Sequence, residues 1–212
     1  QQWKWAKGVG HLWRTTADIR DCYQCKFDWG GVGVLDIIDT LAELYPYAGP
    51  GHWNDAEMLE IGNGGMTKDE YITHFSMWAM LAAPLMAGND LRSMDKETKE
   101  ILTNKEVIAV DQDSLGQQAR RFMDMGDHEI WAKPLAKGEV AVCFLNRTDH
   151  EWQLDYNWKK DVMYFATDVN IHKNEYTIRD LWKHKDIGTT AANTKCNIPA
   201  HGVLMVRLNL KK

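Results

Sequence analysis

The stretch His11-Leu-Trp-Arg-Thr-Thr-Ala-Asp18 decides the fold, because an aromatic and β-branched run leads directly into charged residues. Aromatic and β-branched residues favour a strand, which would end near Asp18. A glycine-rich turn occupies residues 30–33, and apolar residues then recur every three to four positions from Val34 to Tyr45. This period predicts a helix, and Pro46 ends it. The stretch therefore opens a strand–turn–helix unit.

Two further units of the same kind follow. A second strand is predicted over 51–59, and Thr67-Lys-Asp-Glu70 is a capping box that opens a helix. A third strand is predicted over 84–90, with a helix over about 95–102 behind it. Repeated strand–helix units predict a parallel sheet with helical crossovers, as in a (β/α)₈ barrel. In such barrels the functional residues follow the carboxyl ends of the strands.

The pattern changes near residue 118, where short strands separated by turn residues replace the strand–helix units. These features predict an α/β part over residues 1–117 and an antiparallel β-sandwich domain over 118–212. The predicted strands of the second part are 129–133, 139–145, 151–156, 176–182 and 202–208.

The charge balance excludes some classes of partner. Lys and Arg total 25, Asp and Glu total 30, and the formal net charge is −5. Without a basic cluster, neither a nucleic acid nor an anionic membrane surface is an expected partner. The longest nearly apolar stretch, 77–88, falls well short of the roughly 20 residues that span a bilayer.

The cysteines do not predict a metal site. Cys22 and Cys25 form a single Cys-x-x-Cys with no second pair and no His pair at zinc-finger spacing. A redox motif would follow a strand and open a helix, and neither is clear here. Whether these two cysteines are bonded stays open, and no metal or cofactor is predicted.

Two groups of polar residues are candidates for chemistry. Arg14 lies four residues before Asp18, which allows either a shared ligand pocket or a plain structural salt bridge. Asp55, Glu57 and Glu60 fall within six residues of one another. Clustered carboxylates repel each other and usually serve polar ligands, acid–base chemistry or metals, and the lack of neighbouring His disfavours a transition metal. Carboxylates beside tryptophan and methionine suit a sugar.

Several segments together resemble glycoside hydrolase family 27, the α-galactosidases, in order and spacing. They are residues 11–19, 47–64, 82–92 and 104–113. The resemblance implies the C-terminal part of a (β/α)₈ barrel, about strands six to eight, followed by an antiparallel β domain. It also implies a retaining glycosidase that cleaves terminal α-D-galactosyl residues from oligosaccharides or glycoconjugates by double displacement.

The resemblance carries roles to individual positions. Asp18 matches the acid/base residue, Arg14 an arginine that binds ring hydroxyls, and Glu57 with Met58 the pair that lines the sugar pocket. The family's usual Asn-Asp-Pro-Asp-Met reads Asn-Asp-Ala-Glu-Met at 54–58. The longer Glu57 would either reach deeper into the pocket or tilt away from it.

The nucleophile of the family lies in a Lys-x-Asp motif upstream of the acid/base residue. Lys26-Phe27-Asp28 has this form but follows Asp18, so it is not expected to be the nucleophile. The resemblance therefore implies that an N-terminal half-barrel supplies the nucleophile, and that this chain is inactive alone. Enzymes of this kind are typically secreted, periplasmic or lysosomal.

Two alternatives remain open at the level of sequence. Glu57 allows a related glycosidase that acts on α-N-acetylgalactosaminides or β-L-arabinopyranosides. A non-catalytic carbohydrate-binding module is the other alternative, and it requires one exposed patch formed by Trp131, Trp152, Trp158 and Trp182. The chain has 10 tryptophans, and we expect most of them to be buried in the core and not exposed in a binding patch.

Overall fold

The computed structural model describes residues 1–160, 165 and 169–211. In the first part of the chain, two strands alternate with four helices. They are β1 (Leu12–Arg14), α1 (Val34–Leu41), β2 (Trp53–Asp55), α2 (Lys68–Leu81), α3 (Lys96–Leu102) and α4 (Lys105–Asp111). The helix predicted to reach Tyr45 ends at Leu41, four residues earlier, and a short 3₁₀ turn follows at Tyr45–Tyr47.

Strands β1 and β2 pair in parallel, as the strand–helix repeats predicted. Their register sets Leu12 beside Trp53 and Arg14 beside Asp55. The third predicted strand, 84–90, is present only as an isolated parallel bridge between Leu59 and Ala87. A strand needs a ladder of consecutive partners, and among the described residues the segment finds a single neighbour.

The helix α2 begins at the predicted capping box. The side chain of Thr67 accepts a hydrogen bond from the Glu70 backbone N–H, and the Glu70 carboxylate accepts one from the Thr67 backbone N–H. Most of α2 is buried, because it packs against α1 on one side and the second part of the chain on the other.

The second part is a β-sandwich, which confirms the predicted fold class. Its strands are β3 (Arg120–Asp124), β4 (His128–Pro134), β5 (Val140–Asn146), β6 (Trp152–Tyr156), β7 (Tyr176–Asp180), β8 (Lys185–Thr189), β9 (Thr194–Ile198) and β10 (Val203–Leu210). An antiparallel sheet in the order β3-β4-β5-β10-β7-β8 faces the pair β6-β9.

Strand β5 shows that the centre of the six-stranded sheet is buried on both faces. Alternate side chains from Val140 to Phe144 pack between the two sheets, and those from Ala141 to Leu145 pack toward α2. Every residue of β5 is therefore buried. The core that contains α2 is shared by both parts of the chain, and a domain boundary between residues 117 and 118 stays a prediction.

A charge cluster also joins the two parts. Asp39 on α1 is bridged by Arg121 and Arg147, and both arginines also bind the buried Glu129. Burial raises the pKa of Asp39, but the hydrogen bonds and charges of the two arginines outweigh burial and hold that pKa below its usual range.

A buried amide network fixes β1 and β2 to their surroundings. The Trp13 indole N–H donates to Asn54 Oδ1 at 2.8 Å, and the Asn54 amide donates to the Leu44 carbonyl and to Gln118 Oε1. Gln118 in turn donates to the carbonyl of Leu41 at 2.7 Å. Among the described residues, the Trp13 indole N–H and Gln118 Oε1 are bonded only through Asn54, whereas the Leu44 carbonyl also accepts the Tyr47 N–H.

We expect Asn54→Ala to lower the free energy of unfolding by about 3 kcal/mol, because it leaves the buried Trp13 indole N–H and the buried Gln118 Oε1 without partners. Urea denaturation measures this change. Asn193→Ala, which removes an exposed side-chain hydrogen bond to Asp155, is the control and should cost less than about 0.5 kcal/mol. Equal costs for the two variants would contradict the proposed importance of the network.

Asp111, the last residue of α4, is a buried carboxylate whose ionisation lowers the stability of the fold. Burial raises the pKa of Asp111 to about 6, against the opposing effects of a hydrogen bond from Gln112 and of the nearby charge of Lys133. Burial likewise lowers the pKa of Lys133 to about 8, and its ammonium donates to the Ala79 carbonyl at 2.8 Å. The pKa of Asp111 is higher in the folded protein than in the unfolded chain, so protonation of Asp111 stabilises the fold. This contribution is complete below pH 4 and is lost as the pH rises from about 4 to about 6.

We expect Asp111→Asn to raise the free energy of unfolding at pH 7 by about 2 kcal/mol, because the amide needs no charge in the interior. The gain stays below the roughly 3 kcal/mol implied by the shift, since Lys133 loses an attractive charge. Thermal unfolding from pH 4 to pH 7 should show the two proteins diverging as the pH rises. A constant difference across this range would rule out the titration of Asp111 as its cause.

Candidate functional site

The candidate site lies where β1 and β2 end. Arg14 and Asp55 are register partners at the carboxyl ends of the two strands. The backbone N–H and the hydroxyl of Thr15 both donate to the Asp55 carbonyl, at 3.1 and 2.8 Å. The residues that follow the strands, Asp18 and Glu57, are therefore held at the same edge of the sheet.

The structure brings together three of the four predicted site residues through Arg14. One Arg14 nitrogen donates to Asp18 Oδ1 at 2.8 Å, and the other terminal nitrogen lies 3.5 Å from Glu57 Oε1. The Asp18 side chain is 69% exposed and that of Glu57 is 19% exposed. The guanidinium thus joins a carboxylate open to a ligand and a carboxylate held mainly by the protein.

The backbone and side chain of Glu57 are both tightly held. Glu57 has a φ of +78°, its N–H donates to Asp55 Oδ1, and its carbonyl accepts the Trp78 indole N–H. A positive φ is strained for a residue with a side chain, and strained residues concentrate at functional sites.

The extra methylene of Glu57, relative to an aspartate, lets its carboxylate reach the backbone of Ile19. Its Oε2 accepts a hydrogen bond from the backbone N–H of Ile19 at 3.1 Å, so the side chain connects the end of β2 to the residue directly after Asp18. The sequence left open whether Glu57 reaches deeper or tilts away. The structure turns it toward Arg14 and Ile19.

Met58 is partly buried and lies beside the segment 86–88. Leu59 exchanges backbone hydrogen bonds with this segment, both at 2.8 Å. A Cβ on Gly88 would lie 2.6 Å from the sulfur of Met58 and 2.8 Å from the Leu59 backbone carbonyl oxygen, and the backbone contact makes glycine necessary here. Met58 lies next to Glu57 in the chain, and its thioether offers an apolar surface beside the charged residues.

The third carboxylate of the predicted cluster is structural. Glu60 is buried, and burial raises its pKa while a hydrogen bond from Asn63 opposes the rise. The Glu60 backbone N–H donates to His74 Nε2 at 3.1 Å. Burial lowers the pKa of His74 to about 3, so the ring is neutral and accepts this bond. Glu60 therefore stabilises the segment after β2 and is not expected to contact a ligand.

The segment after Asp18 is anchored at several points that the sequence did not indicate. The Asp18 carbonyl accepts from the Val32 N–H, and a disulfide joins Cys22 to Cys25. Asp21 accepts hydrogen bonds from the Gly65 N–H and the Tyr71 hydroxyl. These contacts join residues up to 50 positions apart, which no local pattern reveals.

One alternative raised by the sequence, a non-catalytic carbohydrate-binding module, finds little support here. Trp131 and Trp158 are completely buried, so the four tryptophans of the β-rich part do not form one exposed patch. Among the described residues no group of three or more His, Cys, Asp or Glu could hold a metal ion. No helix in the described ranges is long and apolar enough to cross a membrane.

Comparison with protein families gives two adjoining matches. The family described as "Alpha galactosidase A" matches residues 2–113, and the "Alpha galactosidase C-terminal beta sandwich domain" matches residues 125–208.

Comparison with individual proteins agrees. Alpha-galactosidase A of Cellvibrio japonicus is 48% identical over 99% of this chain and 53% of its own length, and alpha-galactosidase 2 of Arabidopsis thaliana is 42% identical over 98% and 49%. The chain thus spans about half the length of the curated relatives it matches. The crystal structure of alpha-galactosidase I from Mortierella vinacea superposes with a TM-score of 0.87 at 32% identity, over 98% of this chain and 55% of that one.

The role of Glu57 can be tested by amide exchange. We expect Glu57→Asp to speed hydrogen exchange at the Ile19 N–H about tenfold, because the shorter side chain does not reach it. Glu57→Gln keeps an acceptor of the same length and should preserve most of the protection. Unchanged protection in Glu57→Asp, measured by NMR, would contradict this contact.

Proposed function

The chain belongs to glycoside hydrolase family 27, the α-galactosidase family, and we propose that it carries the acid/base half of a retaining α-galactosidase site. The observation that supports this most is the grouping of Arg14, Asp18 and Glu57 at the joined ends of β1 and β2. Barrel enzymes assemble their sites at this edge.

Asp18 is the proposed acid/base residue. Its exposed carboxyl group would protonate the glycosidic oxygen as the leaving group departs, and its carboxylate would then take a proton from the water that attacks the glycosyl-enzyme. The hydrogen bond from Arg14 holds the carboxyl group in one orientation through both steps.

Arg14, Glu57 and Met58 are the proposed substrate-binding residues. The guanidinium presents several N–H donors and uses one for Asp18, so others remain for ring hydroxyls. Glu57 would orient Arg14 by its charge, and Met58 would contact an apolar part of the sugar. The proposed substrate is an oligosaccharide or glycoconjugate with a terminal α-D-galactosyl group.

The nucleophile is proposed to come from an N-terminal half-barrel. Retaining glycosidases need two carboxylates about 5–5.5 Å apart, while Glu57 is engaged by Arg14 and the Ile19 N–H. Among the described residues, β1 has a strand partner on one side only, β2. A parallel strand added on the open side would bring its own carboxyl end to the same edge.

The names of the relatives favour an α-galactoside over the two related substrates. Three relatives that are 40–48% identical are alpha-galactosidases. A β-L-arabinopyranosidase from Geobacillus stearothermophilus is a more distant structural neighbour, with 26% identity and a TM-score of 0.80.

We expect Asp18→Asn in the complete barrel to slow hydrolysis of methyl α-galactoside about 10²–10⁴-fold, because a poor leaving group needs protonation. Hydrolysis of an activated dinitrophenyl α-galactoside should fall much less at the glycosylation step. The exposed Asp186 on β8 offers a control, and Asp186→Asn should leave both rates unchanged. The steady-state and single-turnover rates measure these effects.

Equal losses on the two substrates would contradict the acid/base role of Asp18. The 212-residue chain alone should show no turnover of either substrate. Turnover by the chain alone, abolished in Asp18→Asn, would contradict the proposed origin of the nucleophile.

A further inference from the structure

We propose that the Cys22–Cys25 disulfide sets the position of Asp18, so that opening of this bond by a dithiol slows the steps in which Asp18 transfers a proton. The bond closes residues 22–25, the disulfide segment, which lies between β1 and α1. It acts on Asp18 through the neighbouring backbone, so the two cysteines are positioning residues. The inference rests on the proposed function, which makes Asp18 the acid/base residue.

The disulfide segment caps the start of α1. The N-cap residue, Gly33, offers no side-chain hydrogen bond to the helix. Three backbone N–H groups donate instead to carbonyls of the disulfide segment: Gly33 to Cys25 at 2.9 Å, Val34 to Cys22 at 3.1 Å and Leu35 to Tyr23 at 3.0 Å. The first N–H groups of a helix have no partner within the helix, so these carbonyls satisfy donors that would otherwise be unpaired.

Gly33 fits closely against the disulfide segment. A Cβ on Gly33 would lie 2.9 Å from both the Cys22 carbonyl oxygen and the Cys25 nitrogen. These are backbone atoms, which cannot rotate away as a side chain can, so the contact depends on the conformation in which the four residues are closed. The disulfide keeps this conformation, and opening the bond returns backbone freedom to the segment.

One residue connects the start of α1 to Asp18. Val32 directly precedes Gly33 in the chain. The Val32 N–H donates to the Asp18 carbonyl at 3.0 Å, and the Val32 carbonyl accepts the Arg20 N–H at 2.9 Å. A shift at the start of the helix therefore passes through Val32 to the backbone of Asp18.

The disulfide also connects an exposed turn to a fixed residue. Tyr23 is buried, and its ring stacks on His201 in the second part of the chain, with the ring centroids 4.4 Å apart. Residues 26–30, which follow Cys25, are all exposed. The covalent bond between Cys25 and Cys22 therefore joins this exposed turn to the fixed part of the segment.

Thiol–disulfide exchange provides the chemistry, and both cysteines are only half-buried. A thiolate of the dithiol attacks one sulfur, the S–S bond breaks, and a mixed disulfide forms. The second thiolate of the dithiol then displaces the remaining protein sulfur. The dithiol loses two electrons and leaves as a cyclic disulfide, while Cys22 and Cys25 gain these electrons and two protons and become thiols. An added disulfide reverses both steps.

The test compares the oxidised and the reduced protein in the complete barrel. We expect dithiothreitol to slow the glycosylation step of methyl α-galactoside about fivefold to tenfold and that of dinitrophenyl α-galactoside by less than about twofold, because only the poor leaving group needs a well-placed proton donor. Reoxidation with oxidised glutathione should restore the rate. Single-turnover kinetics measure the glycosylation step for both substrates.

Two variants isolate this bond from any other disulfide of the complete barrel. Cys22→Ser/Cys25→Ser should have the rates of the reduced wild-type protein and should not respond to dithiothreitol. Cys196→Ser removes a free cysteine of β9 and should respond as the wild-type protein does. A further loss when dithiothreitol is added to the double variant, or equal losses on the two substrates, would overturn the proposal.

Amide exchange separates this proposal from the proposed function. Reduction should speed hydrogen exchange at the N–H groups of Val32, Val34 and Leu35 about tenfold, whether or not the protein hydrolyses a galactoside. If Asp18→Asn slows both substrates equally while these amides respond to reduction, the acid/base role fails and the control of the Asp18 position by the disulfide stands. Unchanged exchange at the Val32 N–H after reduction would contradict that control.

Discussion

The parallel pairing of β1 with β2 is the constraint on which the rest of the site depends. Its register sets Arg14 beside Asp55 and leaves Asp18 and Glu57 at one edge of the sheet. A slip of one residue would turn every side chain of the slipped strand to the opposite face and separate these groups. Buried hydrogen bonds from the Asn54 side chain to other segments oppose such a slip.

The site combines open and constrained groups. Asp18 faces solvent, where it can meet a substrate, while Glu57 is held by its backbone contacts and by the Ile19 N–H. Arg14 connects the two, so its charge offsets the repulsion between the carboxylates. Glu60 and His74 lie behind these groups and are buried. The backbone N–H of Glu60 donates a hydrogen bond to the His74 ring, which leaves this buried donor satisfied.

The sequence predicted best those features that depend on neighbouring residues. The capping box of α2 and the apolar run from Val140 to Leu145 in β5 are local patterns, and both are present as expected. The edge strands β3 and β8 and the polar strand β9 were not predicted, because their partly exposed residues lack a clear alternation of burial.

The candidate site was predictable in part. The resemblance indicated Arg14, Asp18, Glu57 and Met58, and the structure brings the three charged residues together. It could not indicate the hydrogen bond from Ile19 to Glu57, which joins residues 38 positions apart. The third strand, 84–90, appears as a single bridge because a ladder needs partners that no local pattern supplies.

We propose that this chain contributes the acid/base residue while the nucleophile belongs to another segment. Trapping the glycosyl-enzyme in the complete barrel with 5-fluoro-α-D-galactosyl fluoride, followed by peptide mass spectrometry, tests it most directly. The label should be found on a carboxylate outside residues 1–212, with Asp18 unmodified. A label on Asp18, Asp28 or Glu57 would contradict the account.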